Sequence, residues 1–179
     1  MNSINQSVAD FIAGGDRSES TFNETALSVF EYQYQRIPIV KNLSERSGIT
    51  PGNIDSWTQI PAIPTPAFKQ AELFSEAKSS VSHVFESSGT SGSEKSRALF
   101  SRDGLDIMEL SIRVNAEHML TYDGRATRIL VLAPPPDAVP HMIMAWGMER
   151  LIHHYGLPGS RFLIGPQGID PREVVGELM

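Results

Sequence analysis

Apolar side chains recur at helical intervals early in the chain: Phe22, Ala26, Leu27, Phe30 and Tyr34 lie on one face of a 3.6-residue period. Thr21 followed by Glu24 has the spacing of a capping box, so the pattern predicts an amphipathic helix that begins there and runs to Arg36. Pro38 interrupts it, since proline lacks the amide donor and crowds the preceding turn. Val40, Leu43 and Ser47 continue as a second short helix that Gly48 stops. The aromatic residues of this region read as core packing. Pro51, Pro61, Pro64 and Pro66, with Trp57 and Phe68 between them, then break the chain into an irregular stretch that ends in a short helix over 67–74.

The period changes to two at Val81, Ser82, His83, Val84 and Phe85, which predicts a half-buried strand. A run of small and hydroxylated residues follows. Ala98, Leu99 and Phe100 look extended, and the helical pattern resumes only after Ser101, with Leu105, Met108, Ile112, Ala116 and Met119 marking one face of a helix over 103–120. The apolar run TRILVLA over 127–133 predicts a strand covered on both faces, stopped by Pro134, Pro135 and Pro136. Met142, Ala145, Met148, Leu151 and Ile152 define another helix ending near Gly156, and 161–164 reads as a second short buried strand. Strand, helix and strand in this order imply parallel crossovers. The expected fold class is α/β: an N-terminal helical region followed by part of a mostly parallel sheet flanked by helices.

The corresponding domain plan leaves 1–20 as an N-terminal tail, a candidate for disorder. It gives 21–179 to one incomplete domain, with 21–75 as its helical lead-in and 81–179 as its α/β part. Asp170, Pro171 and Glu173 have the spacing of a helix start, yet the sequence stops at Met179. The expectation is a fragment, or one half of a split protein.

Composition narrows the classes. With 179 residues, 40% of them hydrophobic, the chain is long enough to form a real core. Its 15 basic against 21 acidic residues argue against a general nucleic-acid surface. It has no cysteine, which removes disulfides and thiol nucleophiles and fits a reducing compartment. Neither a signal-peptide pattern nor a window of membrane-spanning hydrophobicity is present, so a cytoplasmic location is expected, with no membrane span.

Candidate chemistry concentrates in residues 86–97, ESSGTSGSEKSR, presented at the end of the first predicted strand. Gly89 and Gly92 permit close approach of backbone amides to an anion, and Ser87, Ser88, Thr90, Ser91 and Ser93 add hydroxyl donors. Lys95 supplies a mobile positive charge in a chain of net charge −6. A nucleotide-phosphate loop is the preferred reading over a flexible Ser/Gly linker, because the segment follows a strand and runs into Lys95 and Arg97. The Walker A pattern fails: Glu94 occupies the position where that loop requires glycine, and extended residues rather than a helix follow.

The order of these features resembles the adenylate-forming superfamily of acyl-CoA synthetases and adenylation domains, and within it the LuxE-type acyl-protein synthetases and phenylacetate-CoA-ligase-like members. FESSGTSGSEKS at 85–96 is similar to their phosphate-binding signature, with Lys95 at the lysine position and Glu94 where many members carry proline. The segments at 36–54 and 60–74 are similar to the N-terminal region of the compact members, and the resemblance extends over 22–164. It implies a two-step ligase. A carboxylate attacks the α-phosphate of ATP, giving an acyl-adenylate and pyrophosphate, and the acyl group passes to a thiol. The resemblance further implies that Ser87, Ser88, Gly89, Thr90, Ser91, Gly92 and Lys95 handle the β- and γ-phosphates, and that Mg²⁺ accompanies the ATP. Implied partners are an acyl carboxylate and either a thiol-bearing acceptor protein or a complementary chain. No dedicated metal cluster is recognised, and the catalytic residues are expected downstream.

A second candidate region follows the triple proline. His141 lies near the place where the superfamily lines its carboxylate pocket, while a surface histidine at a helix end is the simpler reading. Met142, Met144, Trp146 and Met148 suit an adaptable acyl channel or ordinary packing. His153 and His154 are adjacent and do not share a helix face, which argues against a two-histidine metal site. Two competing functions remain open: a P-loop-type NTPase or phosphotransferase, and a noncatalytic partner-binding module.

Overall fold

The computed structural model describes residues 3–14, 16–87, 95–120, 125–165 and 168–178. Its chain divides into two compact units, Met1–Met108 and Glu109–Met179. The architecture is mixed α/β.

The first unit opens with helices α1 (Ser3–Ile12), α2 (Glu19–Arg36) and α3 (Pro38–Arg46). Helix α1 occupies the segment that the sequence leaves as a tail. Its Phe11 ring lies 5.9 Å from that of Phe22, which in turn meets Trp57 edge-on at 5.4 Å. The start of α2 also differs from expectation. Ser18, not Thr21, caps the helix: its side chain accepts the Thr21 amide, and Asp16 accepts hydrogen bonds from the Ser18 and Thr21 hydroxyls. The Thr21 hydrogen bond, followed by those of Ser18, holds the Asp16 carboxyl below its ordinary pKa. Ser18→Ala is expected to lower stability by about 1 kcal/mol, the usual worth of such a cap, read as a fall in the denaturation midpoint.

The turn from α2 to α3 follows the expected proline logic: Ile37 is extended and Pro38 opens α3. Gly48, at φ +69°, then takes the left-handed conformation that ends the helix. Phe30, Ile37 and Val40 form the buried centre of this unit, surrounded by Ile39, Ile49, Ile54, Ile60, Ile63 and Leu73. Asn23 fastens α2 to the irregular stretch, donating to the Asp55 carbonyl at 2.9 Å and accepting the Trp57 amide at 2.7 Å. The short helix predicted over 67–74 is one turn, α4 (Ala67–Gln70), because Ala71 is already extended.

Strands β1 (Val81–Glu86) and β2 (Arg97–Ser101) form an antiparallel pair, which brings Glu86 opposite Arg97. Phe85, 3% exposed, packs edge-on against Phe100 with ring centroids 5.4 Å apart. Helix α5 (Arg102–Met119) starts directly after β2. The buried Ser101 hydroxyl accepts the Gly104 amide and donates to Glu76 at 2.8 Å, which satisfies one donor of the helix's first turn.

In the second unit, β3 (Leu130–Val131) and β4 (Arg161–Phe162) pair in parallel, and α6 (Ile143–Tyr155) lies between them in sequence. The strand predicted over 127–133 is thus much shorter, with one further parallel bridge at Thr127 to Gly156. Leu132 is 61% exposed, so the run is not covered on both faces. β5 (Ile164–Gly165) and β6 (Gly168–Ile169) form a small antiparallel pair before α7 (Pro171–Leu178). Asp170 accepts the Arg172 amide at 2.8 Å, in keeping with the predicted helix start.

Among the described residues the strands therefore form three two-stranded sheets, one parallel and two antiparallel. The expected extended, mostly parallel sheet is absent from them. No described helix is long and apolar enough to cross a membrane.

Buried Tyr155 ties α6 to the part of α5 within the second unit, its hydroxyl donating to Glu117 at 2.9 Å and the Arg113 carbonyl at 3.1 Å. Burial, then the hydrogen bond and negative charge of Glu117, raise its pKa. The stabilisation linked to the neutral phenol is complete below the ordinary tyrosine value of about 10 and is lost as pH rises through the higher folded value. Melts across this alkaline range should show a loss of stability that is smaller in Tyr155→Phe.

Candidate phosphate-binding site

The mouth of the β1–β2 hairpin is built by register. Once Phe85 and Phe100 bury their rings on the same pair of strands, Glu86 faces Arg97, and the next positions outward, Ser87 and Ser96, close the ladder. The Ser87 amide donates to the Ser96 carbonyl at 3.0 Å, and the Ser96 amide donates to the Ser87 hydroxyl oxygen at 3.0 Å. Lys95 then leaves the ladder with its side chain 55% exposed, donating from Nζ to Glu86 Oε2 at 3.2 Å. Arg97 Nε lies 4.0 Å from Glu86 Oε1.

Among the described residues, two cations and one carboxylate thus sit beside a hydroxyl and two backbone groups where the segment leaves and re-enters the sheet. The balance among these described side chains is positive, which suits an anion. Ser87 and Lys95 are the predicted phosphate residues placed here. Ser88, Gly89, Thr90, Ser91 and Gly92 lie outside the described residues, as does Glu94. Glu86 was not singled out by the sequence pattern. Its signal was available only through pairing, because a hairpin closed at Ser87 and Ser96 sets Glu86 against Arg97.

The second predicted region lies around the start of α6. His141 is exposed in the turn before α6, Met142 is the exposed N-cap residue, and Met144 is 59% exposed. Trp146 is half-buried, with the Arg150 guanidinium 5.4 Å from its ring centroid. His141 and Met142 thus precede α6, and Met144 and Trp146 lie on its first turn. His154 Nε2 lies within hydrogen-bond distance of Glu109 Oε1, at 2.8 Å, and Glu109 also faces Arg150 at 3.9 Å, so the ring belongs to a polar network between α5 and α6. Among the described residues no group of three or more His, Cys, Asp or Glu side chains is placed to hold a metal ion.

Comparison with protein-family models and with curated proteins gives no match to this chain.

Proposed function

We propose that this chain belongs to an adenylate-forming, acyl-protein-synthetase-like ligase and that its β1–β2 hairpin handles the polyphosphate of ATP. The observation that carries the reading is the hairpin mouth: a Ser- and Gly-rich segment leaves one strand at Ser87 and returns to an antiparallel strand through Lys95 and Ser96. Lys95 and the Ser87 hydroxyl are chemically suited to phosphate oxygens, one as a charged donor and the other as a rotatable donor. Mg²⁺ would enter on the phosphates, as is usual for an ion that keeps much of its hydration.

The hairpin also weighs against a Walker-type NTPase. That mechanism places the phosphates at the N-terminus of a helix opening directly from the loop, whereas here strand β2 intervenes before α5. On the preferred reading, this chain's share of the chemistry is to orient the departing pyrophosphate and offset its charge. The exposed Met142 and Met144, with Trp146 and His141, are proposed as one wall of the acyl site.

Amide spectra of the chain titrated with MgATP, pyrophosphate and AMP test the polyphosphate assignment. Ser87, Lys95 and Ser96 should respond to MgATP and pyrophosphate at concentrations where AMP has little effect. An equal response to AMP, or a response confined to other residues, would remove the hairpin from the site.

A further inference from the structure

The Glu86 carboxylate is the least exposed member of the hairpin's charge cluster, at 23%, whereas Lys95 and Arg97 are 55% and 58% exposed. It is not needed to close the hairpin, since the strand ladder and the Ser87–Ser96 hydrogen bonds do that. It pairs with Lys95 at 3.2 Å and faces Arg97 at 4.0 Å. An ion pair this open to water on its cationic side is weak and exchangeable, and lysine carries its charge on a flexible four-carbon stem.

We propose that Glu86 is a built-in counter-ion that competes with the bound polyphosphate for Lys95 and thereby favours release of pyrophosphate. This rests on the phosphate-loop reading. Without ligand, the carboxylate holds the ammonium group. When polyphosphate binds, Lys95 turns to the phosphate oxygens, and Glu86 becomes a fixed negative charge beside a multiply charged anion. As pyrophosphate leaves, the carboxylate recovers its partner. Glu86 is therefore a residue set for turnover, acting through Lys95 and the local field. Its removal has an unusual sign: affinity for the product rises.

Calorimetric titration of the chain with inorganic pyrophosphate at two salt concentrations tests this. Glu86→Gln should tighten binding about three- to tenfold and steepen its salt dependence, because two cations are left without their carboxylate. Glu86→Ala, a second charge-free variant, should move the same way. Glu86→Asp, which keeps the charge, should stay near wild type, and Lys95→Ala should weaken binding. If Glu86→Gln and Glu86→Ala bind pyrophosphate no tighter than wild type while Lys95→Ala still weakens it, Glu86 is not a competitor and the phosphate reading survives alone. If wild type does not bind pyrophosphate, or Lys95→Ala binds it equally well, the phosphate reading and this inference fall together.

Discussion

Lys95→Ala in the whole protein is expected to slow adenylate formation roughly ten- to a hundredfold, which corresponds to about 1–3 kcal/mol of lost charge stabilisation. The loss should fall on the chemical step, because the charge on the leaving pyrophosphate grows as the bond to the α-phosphate breaks. Folding should barely change. Lys95 is more than half exposed and its pairing with Glu86 is a surface contact, which contributes at most about 1 kcal/mol. Adenylation kinetics and a thermal melt of the same variant separate the two effects. Unchanged kinetics would remove Lys95 from the site, and a large drop in melting temperature would make its role structural.

Phe30→Ala should be among the most damaging core substitutions in the first unit. Phe30 is 3% exposed and packs with Ile37 and Val40, and its ring meets Tyr34 at 6.0 Å. Truncation removes a full aromatic side chain and leaves a cavity between α2 and α3, which costs about 3–5 kcal/mol. That is a large part of the stability of an ordinary domain, about 5–15 kcal/mol. Chemical denaturation should show the loss as a lower midpoint. A change below about 1 kcal/mol would mean that this cluster is not the centre of the unit.

Features fixed by local chemistry were legible in the sequence. Pro38 and Gly48 bound α3 because each acts on the backbone at its own position. The alternation ending in Phe85, the extended Ala98–Leu99–Phe100 and the delayed helix signal together specified strand, loop, strand and helix, and β1, β2 and α5 follow that order. Helix α1 was also within reach, since Ile4, Val8, Phe11 and Ile12 have helical spacing. The Ser18 cap depends on Asp16 and Thr21 acting together, a side-chain network that the Thr21–Glu24 spacing concealed.

Pairing between distant segments was much less legible. A continuous apolar run such as 127–133 has no period, so it did not reveal that only Leu130 and Val131 join β4 or that Leu132 faces solvent. The same limit hid Glu86. As a letter it was merely the residue before a serine-rich loop, and only the register that sets it against Arg97 and beside Lys95 gave it a role.

The central claim is most directly tested by exchange of labelled pyrophosphate into ATP, measured in the whole protein with and without a panel of carboxylic acids. Because formation of an acyl-adenylate is reversible, exchange should appear only when a suitable acid is present and should fall with Lys95→Ala in parallel with the forward rate. Release of ADP and orthophosphate without carboxylate-dependent exchange would contradict the account and restore the NTPase reading.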